Sequence, residues 1–464
     1  MSGVALQASL LTHHPQVERV AAPDSCAAMP SLRRLTALAI ARAMLAGEAH
    51  ADGLHARMRI CVEADPPWLA VLAQRCAALP GEHWRRLTPR SLATLIEQDA
   101  GYQDAAPLMA RSYILREASG MQPLPLGLEN CQVPYWPHTG ALAAWLGVSD
   151  GGMWRLTRPA AWQRRSHLGE QHYRFQLLAK RSGGWRLLEV PHDYLMGVQR
   201  RLLNDLLDHI PVHEAACGYV RERSVLDHAR AHTGQAVVLK FDLQDFFACV
   251  RASRVHALFI TLGYSEAVAR ELTALCTVAT PEPVLRRMHE AGRLSWPQLQ
   301  RLRDAHLPQG APTSPALANL CAFRLDLRLD GLAQSLGARY TRYADDLVFS
   351  GDVNLRECRA RIEAWVGRIA LEEGFALNHR KTRCHSSGQR QTVCGIVVNE
   401  APNLPREAFD RLKAVLHRCV VAGLGEQTLE QLQGRVAWAT QLNPAKGRRL
   451  KRLLDQIAQD PAPD

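Results

Sequence analysis

The stretch ARYTRYADDLVFS, residues 338–350, contains the pattern that decides the fold. Strand-forming residues in Ala338–Tyr343 and Leu347–Ser350 flank a short acidic segment, so the pattern predicts two strands joined by a tight turn. The adjacent carboxylates of Asp345 and Asp346 lie between apolar arms, where burial is unfavourable unless a partner neutralises them. The hairpin tip is therefore a candidate site for a divalent cation, although an Asp-Asp pair standing alone is more often an ordinary turn.

A further acidic residue ends another apolar run earlier in the chain. Residues 237–242 read VVLKFD, which predicts a buried strand that delivers Asp242 at its end. If Asp242 comes beside Asp345 and Asp346, the three carboxylates can hold two Mg²⁺ ions about 4 Å apart, an arrangement that serves phosphoryl transfer. One ion would lower the pKa of an attacking hydroxyl, and the other would stabilise charge on the leaving group.

The composition is that of an ordinary globular protein with a basic surplus. The chain has 464 residues, enough for two or three domains, and its formal net charge of +11 makes polyanions candidate partners. None of its 12 cysteines forms a C-x-x-C pair, which argues against a zinc site or a disulfide framework. No apolar stretch reaches membrane-spanning length and no secretory signal is visible. We therefore expect a cytoplasmic protein with no membrane partner.

The chain contains three consecutive segments with different sequence patterns. Residues 1–165 are expected to form a mostly helical extension and a connector. Residues 166–400 alternate strands and helices without a regular βαβ rhythm, which predicts an α+β fold. Within this segment, the apolar pattern of residues 313–336 predicts one long helix. Residues 401–464 have the spacing of an all-helical segment.

Three motifs together carry a specific family resemblance. YADD at 343–346 resembles the Y-x-D-D signature of reverse transcriptases, FDLQDFF at 241–247 resembles their first metal-binding motif, and LPQGAPTSP at 307–315 resembles their template-primer and nucleotide motif. The motifs occur in the family's order. The resemblance implies an RNA-directed DNA polymerase that uses two Mg²⁺ ions. It also implies a right-hand polymerase fold, with fingers and palm (an antiparallel sheet plus helices) in 166–400 and a helical thumb in 401–464.

The resemblance also implies roles for side chains around the three aspartates. Lys180 and Arg186 flank the Gly183-Gly184 turn of a predicted hairpin and resemble the fingers residues that grip the incoming triphosphate. In the family, a bulky ring at the position of Phe247 crowds the sugar 2′-OH and favours dNTPs. Lys381 resembles a lysine proposed to protonate pyrophosphate, which adds it to the catalytic aspartates. Taken singly, these side chains have ordinary readings as solvated charges or core rings. The other implied nucleotide-binding positions are Asp245, Gln309 and Gly310.

Further segments resemble the retron branch of the family. QGAPTSP at 309–315 has the retron form. RSVLDHARAH at 223–232 resembles the retron N-A-x-x-H segment, with His228 in place of its asparagine. Residues 393–395 resemble the retron V-T-G element, with Cys394 in place of threonine. The two departures leave the match to this branch partial.

The retron resemblance implies particular partners and products. The protein would use a structured noncoding RNA as template and primer and would consume dNTPs. It would start from the 2′-OH of a guanosine, so that the product is a branched RNA–DNA hybrid, multicopy single-stranded DNA. Retrons commonly act in anti-phage defence with an effector protein. Candidate RNA-contacting residues are His232, Arg448, Arg449 and Lys451, although the basic cluster also fits a solvated face and His232 also fits a structural role.

Two other functions remain open at this point. The chain fits another bacterial reverse transcriptase, either diversity-generating or derived from a group II intron. It also fits a module that binds RNA with the same fold and has lost the chemistry. The presence of Asp242, Asp345 and Asp346 argues against the second alternative, because buried acids are unfavourable to keep without a metal.

Overall fold

The chain divides into two compact units, Met1–Gly120 and Met121–Asp464. This computed structural model describes residues 32–46, 49–62, 65–105, 121–165, 171–179 and 184–459. The connector residues Trp136 and Leu142, which the sequence analysis grouped with the N-terminal extension, are buried in the main core of the second unit. The segment limits expected at residues 165 and 400 stay predictions.

In its described residues, the first unit consists of helices joined by short connections. Apolar residues such as Ile40, Met58 and Leu69 form a core made only of residues from this unit. A capping box, in which Thr88 and Ser91 exchange hydrogen bonds, begins one of its helices. This agrees with the expected mostly helical extension. The elements are α1 (Leu32–Leu45), α2 (Ala51–Arg59), α3 (Pro67–Ala77), α4 (Gly81–Arg86), α5 (Pro89–Gln98) and α6 (Ala100–Ala105).

The second unit combines strands and helices. It begins with α7 (Thr139–Leu146), α8 (Asp150–Leu156), α9 (Ala160–Arg165), β1 (Tyr173–Ala179), β2 (Trp185–Pro191), α10 (Asp193–Asp205) and α11 (Val225–Ala231). The middle comprises β3 (Val237–Asp242), α12 (Phe246–Cys249), α13 (Ala252–Thr261), α14 (Glu266–Cys276), α15 (Glu282–Glu290), α16 (Trp296–Arg303), α17 (Ser314–Cys321) and α18 (Phe323–Ser335). The rest comprises β4 (Arg339–Tyr343), β5 (Asp346–Gly351), α19 (Asn354–Glu357), α20 (Arg359–Glu372), β6 (Arg383–Ser386), β7 (Thr392–Val393), β8 (Ile396–Val397), α21 (Arg406–Ala422), α22 (Leu429–Leu442) and α23 (Pro444–Gln459).

A four-stranded antiparallel sheet in the order β4-β5-β3-β6 lies at the centre of this unit. The predicted hairpin is present as β4 and β5, and β3 pairs with β5 so that Asp242 is opposite Asp346. Alternate residues of β3 are buried on opposite faces, because side chains alternate along a strand. Phe241 enters the main core, whereas Val238 packs in a second cluster with Ile396 and Leu442. Helices and small antiparallel sheets together confirm the α+β fold class.

The helix predicted over 313–336 is in fact two helices. α17 ends at Cys321 and α18 begins at Phe323, with Ala322 between them outside helical geometry (ψ 2°). The Arg254 guanidinium donates a hydrogen bond of 2.6 Å to the Cys321 carbonyl oxygen. A side chain from α13 therefore hydrogen-bonds a backbone carbonyl at the break between the two helices. No proline or glycine stands at the break itself, where residues 320–324 read LCAFR, so the sequence does not signal it.

The hairpin β1–β2 is joined to the loop before α17 through a buried ion pair. The backbone N–H of Glu189 donates to the carbonyl of Gln309 at 2.9 Å. The Glu189 carboxylate accepts hydrogen bonds from His306 Nε2 at 2.9 Å and Thr280 Oγ1 at 2.6 Å. Burial alone would lower the pKa of His306, but the charge and hydrogen bond of Glu189 outweigh it, so the pKa is raised.

We expect the His306→Gln variant to unfold more easily by about 1–3 kcal/mol, because a buried charged hydrogen bond is weakened. Since the pKa of His306 is raised in the folded state, its contribution is complete below the unfolded value of about 6.5 and is lost as pH rises through the folded value. The stability difference from wild type, measured by urea unfolding, should therefore shrink as pH rises above about 6.5. His379→Gln is the control, because the exposed His379 pairs with Glu363 at 3.2 Å near the surface. A stability difference that does not vary with pH would contradict this account.

The last three helices form a cluster of their own. Leu412 and Leu416 of α21, Val436 of α22 and Leu450 of α23 are buried together. This agrees with the helical character expected for residues 401–464. Across the described part of the chain, no helix has the length and apolar character needed to cross a membrane.

Candidate active site

Three acidic residues meet where β3 ends beside the β4–β5 turn. Asp242 is opposite Asp346 in the sheet, and the N–H of Leu243 donates to the carbonyl of Asp345 at 2.8 Å. Ala344 adopts a left-handed backbone conformation, with φ of 56°, to make the tight turn. The structure therefore brings together the three aspartates that the sequence analysis singled out, although they are distant in the chain.

The three carboxylates of this cluster repel one another and are partly shielded from solvent. Burial, together with the nearby charges of Asp346 and Asp242, raises the pKa of Asp345 to about 6. The pKa of Asp346 is also raised, chiefly by burial, against the opposing charge of Lys240. Carboxylates held in this way favour a cation as partner.

Lys381 supplies a positive charge to the cluster. Its ammonium group donates to Asp242 Oδ2 at 2.7 Å, and the N–H of Asn378 donates to the Asp242 carbonyl at 2.8 Å. Burial would lower the pKa of Lys381, but the hydrogen bond and charge of Asp242 raise it overall. Among the described residues, no three acidic, histidine or cysteine side chains are already arranged as metal ligands. The Lys381 ammonium group thus occupies one carboxylate oxygen of Asp242.

The residues that were expected to contact a nucleotide differ in their exposure and in their contacts. Lys180 lies outside the described residues, whereas Arg186 is exposed on β2. Phe247 is half-buried beside Phe246, with ring centroids 5.5 Å apart. Asp245 is engaged elsewhere, because its carboxylate pairs with Arg301 of α16 at 2.7 Å. That ion pair has to open before the Asp245 carboxylate is free for a nucleotide.

The Gln309–Gly310 segment lies directly against β2. Gly310 has φ of 126°, a conformation that favours glycine. A Cβ atom there would lie 3.0 Å from Val190 Cγ2, so a larger residue would push the two segments apart. The Gly310 backbone therefore lies close to β2, and its role in nucleotide binding stays a prediction.

The expectation that His232 contacts RNA needs correction. The ring is fully buried, with Nδ1 bonded to Ser350 Oγ at 2.7 Å and Nε2 bonded to Thr341 Oγ1 at 2.7 Å. Burial holds the pKa of His232 well below its usual range, so the ring is neutral. Both ring nitrogens are used within the sheet, and His232 has a structural role. The basic residues Arg448, Arg449 and Lys451 are exposed on α23.

A buried ion pair behind the turn was not predicted from the sequence. Arg342 and Asp326 are both fully buried and bond through Nε–Oδ1 at 2.7 Å and Nη2–Oδ2 at 2.5 Å. Arg342 Nη1 also donates to Asn319 Oδ1 at 2.9 Å and to the Ala344 carbonyl at 3.1 Å. The only signal in the sequence was that Arg342 follows Tyr340 by two residues and so lies on the same, buried face of the strand. Arg342 therefore anchors the turn that carries Asp345.

Comparison with known proteins gives the family. Residues 178–398 match the family described as "Reverse transcriptase (RNA-dependent DNA polymerase)". The chain is 38% identical to the retron Mx65 reverse transcriptase of Myxococcus xanthus, across 82% of this chain and 85% of that protein. It is 38% identical to the retron Mx162 enzyme of Myxococcus xanthus (60% and 59% covered) and 29% identical to the retron Ec86 enzyme of Escherichia coli (60% and 79% covered).

These matches agree with the features built up above. The α+β right-hand polymerase fold that the motifs implied is confirmed, and the aspartate cluster lies within the matched residues 178–398. The chain belongs to the retron reverse transcriptases and is an RNA-directed DNA polymerase.

Proposed function

We propose that this polymerase copies a structured noncoding RNA into single-stranded DNA by two-metal nucleotidyl transfer. The observation that carries the proposal is the convergence of Asp242, Asp345 and Asp346 at one end of the central sheet, with Lys381 beside them. These four side chains are the proposed catalytic residues.

The three aspartates fit a pair of Mg²⁺ ions by their chemistry. Mg²⁺ prefers oxygen ligands, and carboxylates whose pKa values are raised by burial and by acidic neighbours gain from a divalent cation. When bound there, Mg²⁺ would activate the primer hydroxyl and stabilise charge on pyrophosphate. The protein's part is to hold the carboxylates on adjacent strands, so that the ligands are positioned before substrate arrives.

Lys381 is proposed to act as general acid toward pyrophosphate. Its raised pKa keeps the ammonium group protonated at neutral pH. Metal binding to Asp242 would release the Lys381 ammonium from its 2.7 Å hydrogen bond, leaving it free to reach a leaving oxygen. The same residue thus neutralises the site at rest and holds a proton for the reaction.

The nucleotide would be held by residues around the aspartates. Arg186, with Lys180, is proposed to contact the triphosphate, because an exposed guanidinium suits a polyanion. Gln309 and Gly310 are proposed to line the template side, and Phe247 to crowd a 2′-OH. For Asp245, a role in nucleotide binding depends on release of its ion pair with Arg301.

The retron-specific steps are proposals drawn from the relatives. The chain would recognise its own noncoding RNA, prime from a guanosine 2′-OH, and leave multicopy single-stranded DNA as a branched hybrid. The exposed Arg448, Arg449 and Lys451 would contact RNA phosphates, which makes binding sensitive to salt. We further propose that the enzyme acts in the cytoplasm and serves anti-phage defence with an effector protein.

Expression with the flanking genomic DNA tests this function. We expect nucleic acid that copurifies with the chain to contain DNA joined to RNA, so that RNase treatment shortens the molecule and a debranching enzyme releases a linear DNA. The Asp346→Asn variant should copurify the RNA alone, because only the chemistry is removed. DNA without an RNA branch in the wild-type sample would favour a diversity-generating or group II-derived enzyme instead.

A further inference from the structure

The loop before α11 is pressed against the catalytic turn at Gly218. A Cβ atom on Gly218 would lie 2.7 Å from the backbone nitrogen of Ala344, a distance that no side chain tolerates. The N–H of Cys217 donates to the Arg342 carbonyl at 2.7 Å, and Asn319 Nδ2 donates to the Gly218 carbonyl at 2.8 Å. The loop is therefore held in place by the same buried network that anchors the turn.

Tyr219 follows this contact in a strained conformation. Its φ of 60° lies in the left-handed region, which is unusual for a residue with a large side chain. The residue remains 52% exposed, so burial does not explain why an aromatic residue stands here. Strain of this kind is kept where the surrounding structure imposes it, often at functional sites.

The Tyr219 ring lies among groups proposed to serve three parts of a nucleotide. Its centroid is 6.2 Å from that of Phe247, on the sugar side, and 6.3 Å from that of Tyr343, beside the metal-binding turn. Burial raises the pKa of Tyr219, the Asp345 carboxylate raises it further, and the Arg186 guanidinium lowers it. The charges of Asp345 and Arg186 therefore both act on the Tyr219 hydroxyl, in opposite directions.

We infer that Tyr219 forms a wall of the nucleotide pocket, where its ring contacts the incoming dNTP and braces Phe247. The inference rests on the proposed function and adds a specificity-determining residue to it. The ring matters more than the hydroxyl, because among the described residues the Tyr219 hydroxyl has no hydrogen-bond partner. Removing the ring leaves Phe247 free to move and removes apolar contact with the sugar and base.

The test uses purified full-length protein, a poly(rA) template with an oligo(dT) primer, and dTTP or UTP. Tyr219→Asn removes the ring, while asparagine tolerates the left-handed backbone and so preserves the fold. We expect the KM for dTTP to rise about tenfold, with kcat lowered less than about threefold. Preference for dTTP over UTP should fall about fivefold, because Phe247 loses its support. Tyr219→Phe should restore the KM to within about twofold of wild type.

Glu222→Asn is the matched control, because Glu222 lies on the same loop, is exposed and also has a left-handed backbone, with φ of 62°. It should change neither the KM nor the nucleotide preference. An unchanged KM in Tyr219→Asn, with wild type active and Asp345→Asn inactive, would overturn the role of Tyr219 and leave the proposed function intact. A wild-type enzyme as inactive as Asp345→Asn would overturn both. Equal effects in Tyr219→Asn and Glu222→Asn would also overturn it, because the ring would then be irrelevant.

Discussion

Replacing Asp345 with Asn is expected to lower dNTP incorporation on an RNA template about 1000-fold. Metal ions contribute several kcal/mol of transition-state stabilisation, and each 1.4 kcal/mol corresponds to about a tenfold rate change. Asn keeps the size of the side chain and removes the charge that would hold the ion. Single-turnover extension of a primed RNA template at saturating Mg²⁺ measures the effect. Asp410→Asn, at an exposed position of α21, should retain wild-type rates.

The same variant should be more stable than wild type when no metal is present. The pKa of Asp345 is raised to about 6 by burial and by its acidic neighbours. Its ionised form is therefore unfavourable in the folded state, and stability falls as pH rises from about 4 to about 6. We expect Asp345→Asn to gain about 1–3 kcal/mol at neutral pH in the presence of a chelator. Mg²⁺ should raise the melting temperature of wild type more than that of the variant.

Two results would contradict this account of Asp345. Polymerisation by Asp345→Asn within about tenfold of wild type would remove the residue from the metal site. A variant less stable than wild type in chelator would show that the carboxylate is satisfied in some other way.

The Arg342→Met variant is expected to lose both stability and activity. Arg342 is fully buried with Asp326, and removing one partner of a buried pair costs about 3–5 kcal/mol because the other charge is left uncompensated. The hydrogen bond from Arg342 to the Ala344 carbonyl is lost at the same time, so the catalytic turn loses its anchor. Urea unfolding measures the first effect, and primer extension below the unfolding temperature measures the second.

A double variant separates the two contributions of Arg342. Arg342→Met combined with Asp326→Leu replaces the ion pair by apolar side chains, which is often neutral for stability. Stability should then recover largely, whereas activity should remain low because the contact with Ala344 is still missing. Arg339→Met is the control, since Arg339 lies on the same strand with its side chain exposed. Full recovery of activity in the double variant would show that Arg342 acts on stability alone.

The sequence predicted the elements whose signals are local. The β4–β5 hairpin, the strand ending in Asp242 and the β1–β2 hairpin follow from alternating apolar residues and turn signals. Convergence of the three aspartates could be predicted because strand ends that pair in one sheet lie close together. The order of the three sequence motifs predicted the right-hand polymerase fold and the family.

Features that depend on contacts distant in the chain could not be predicted. At the break around Ala322, a guanidinium from α13 hydrogen-bonds the Cys321 carbonyl. The Asp245 carboxylate forms an ion pair with Arg301 of α16. His232 looked available for RNA because its sequence neighbourhood resembles a recognition segment. Only the fold shows that Thr341 and Ser350 of the sheet occupy both ring nitrogens.

The first unit has a hydrophobic core of its own. Ile40, Met58 and Leu69 pack against apolar neighbours that all lie within the described residues of 32–105. A separate core of this kind is typical of a part of the chain that can fold as a unit. Truncation of one of these three side chains is therefore expected to weaken the helices of this unit first.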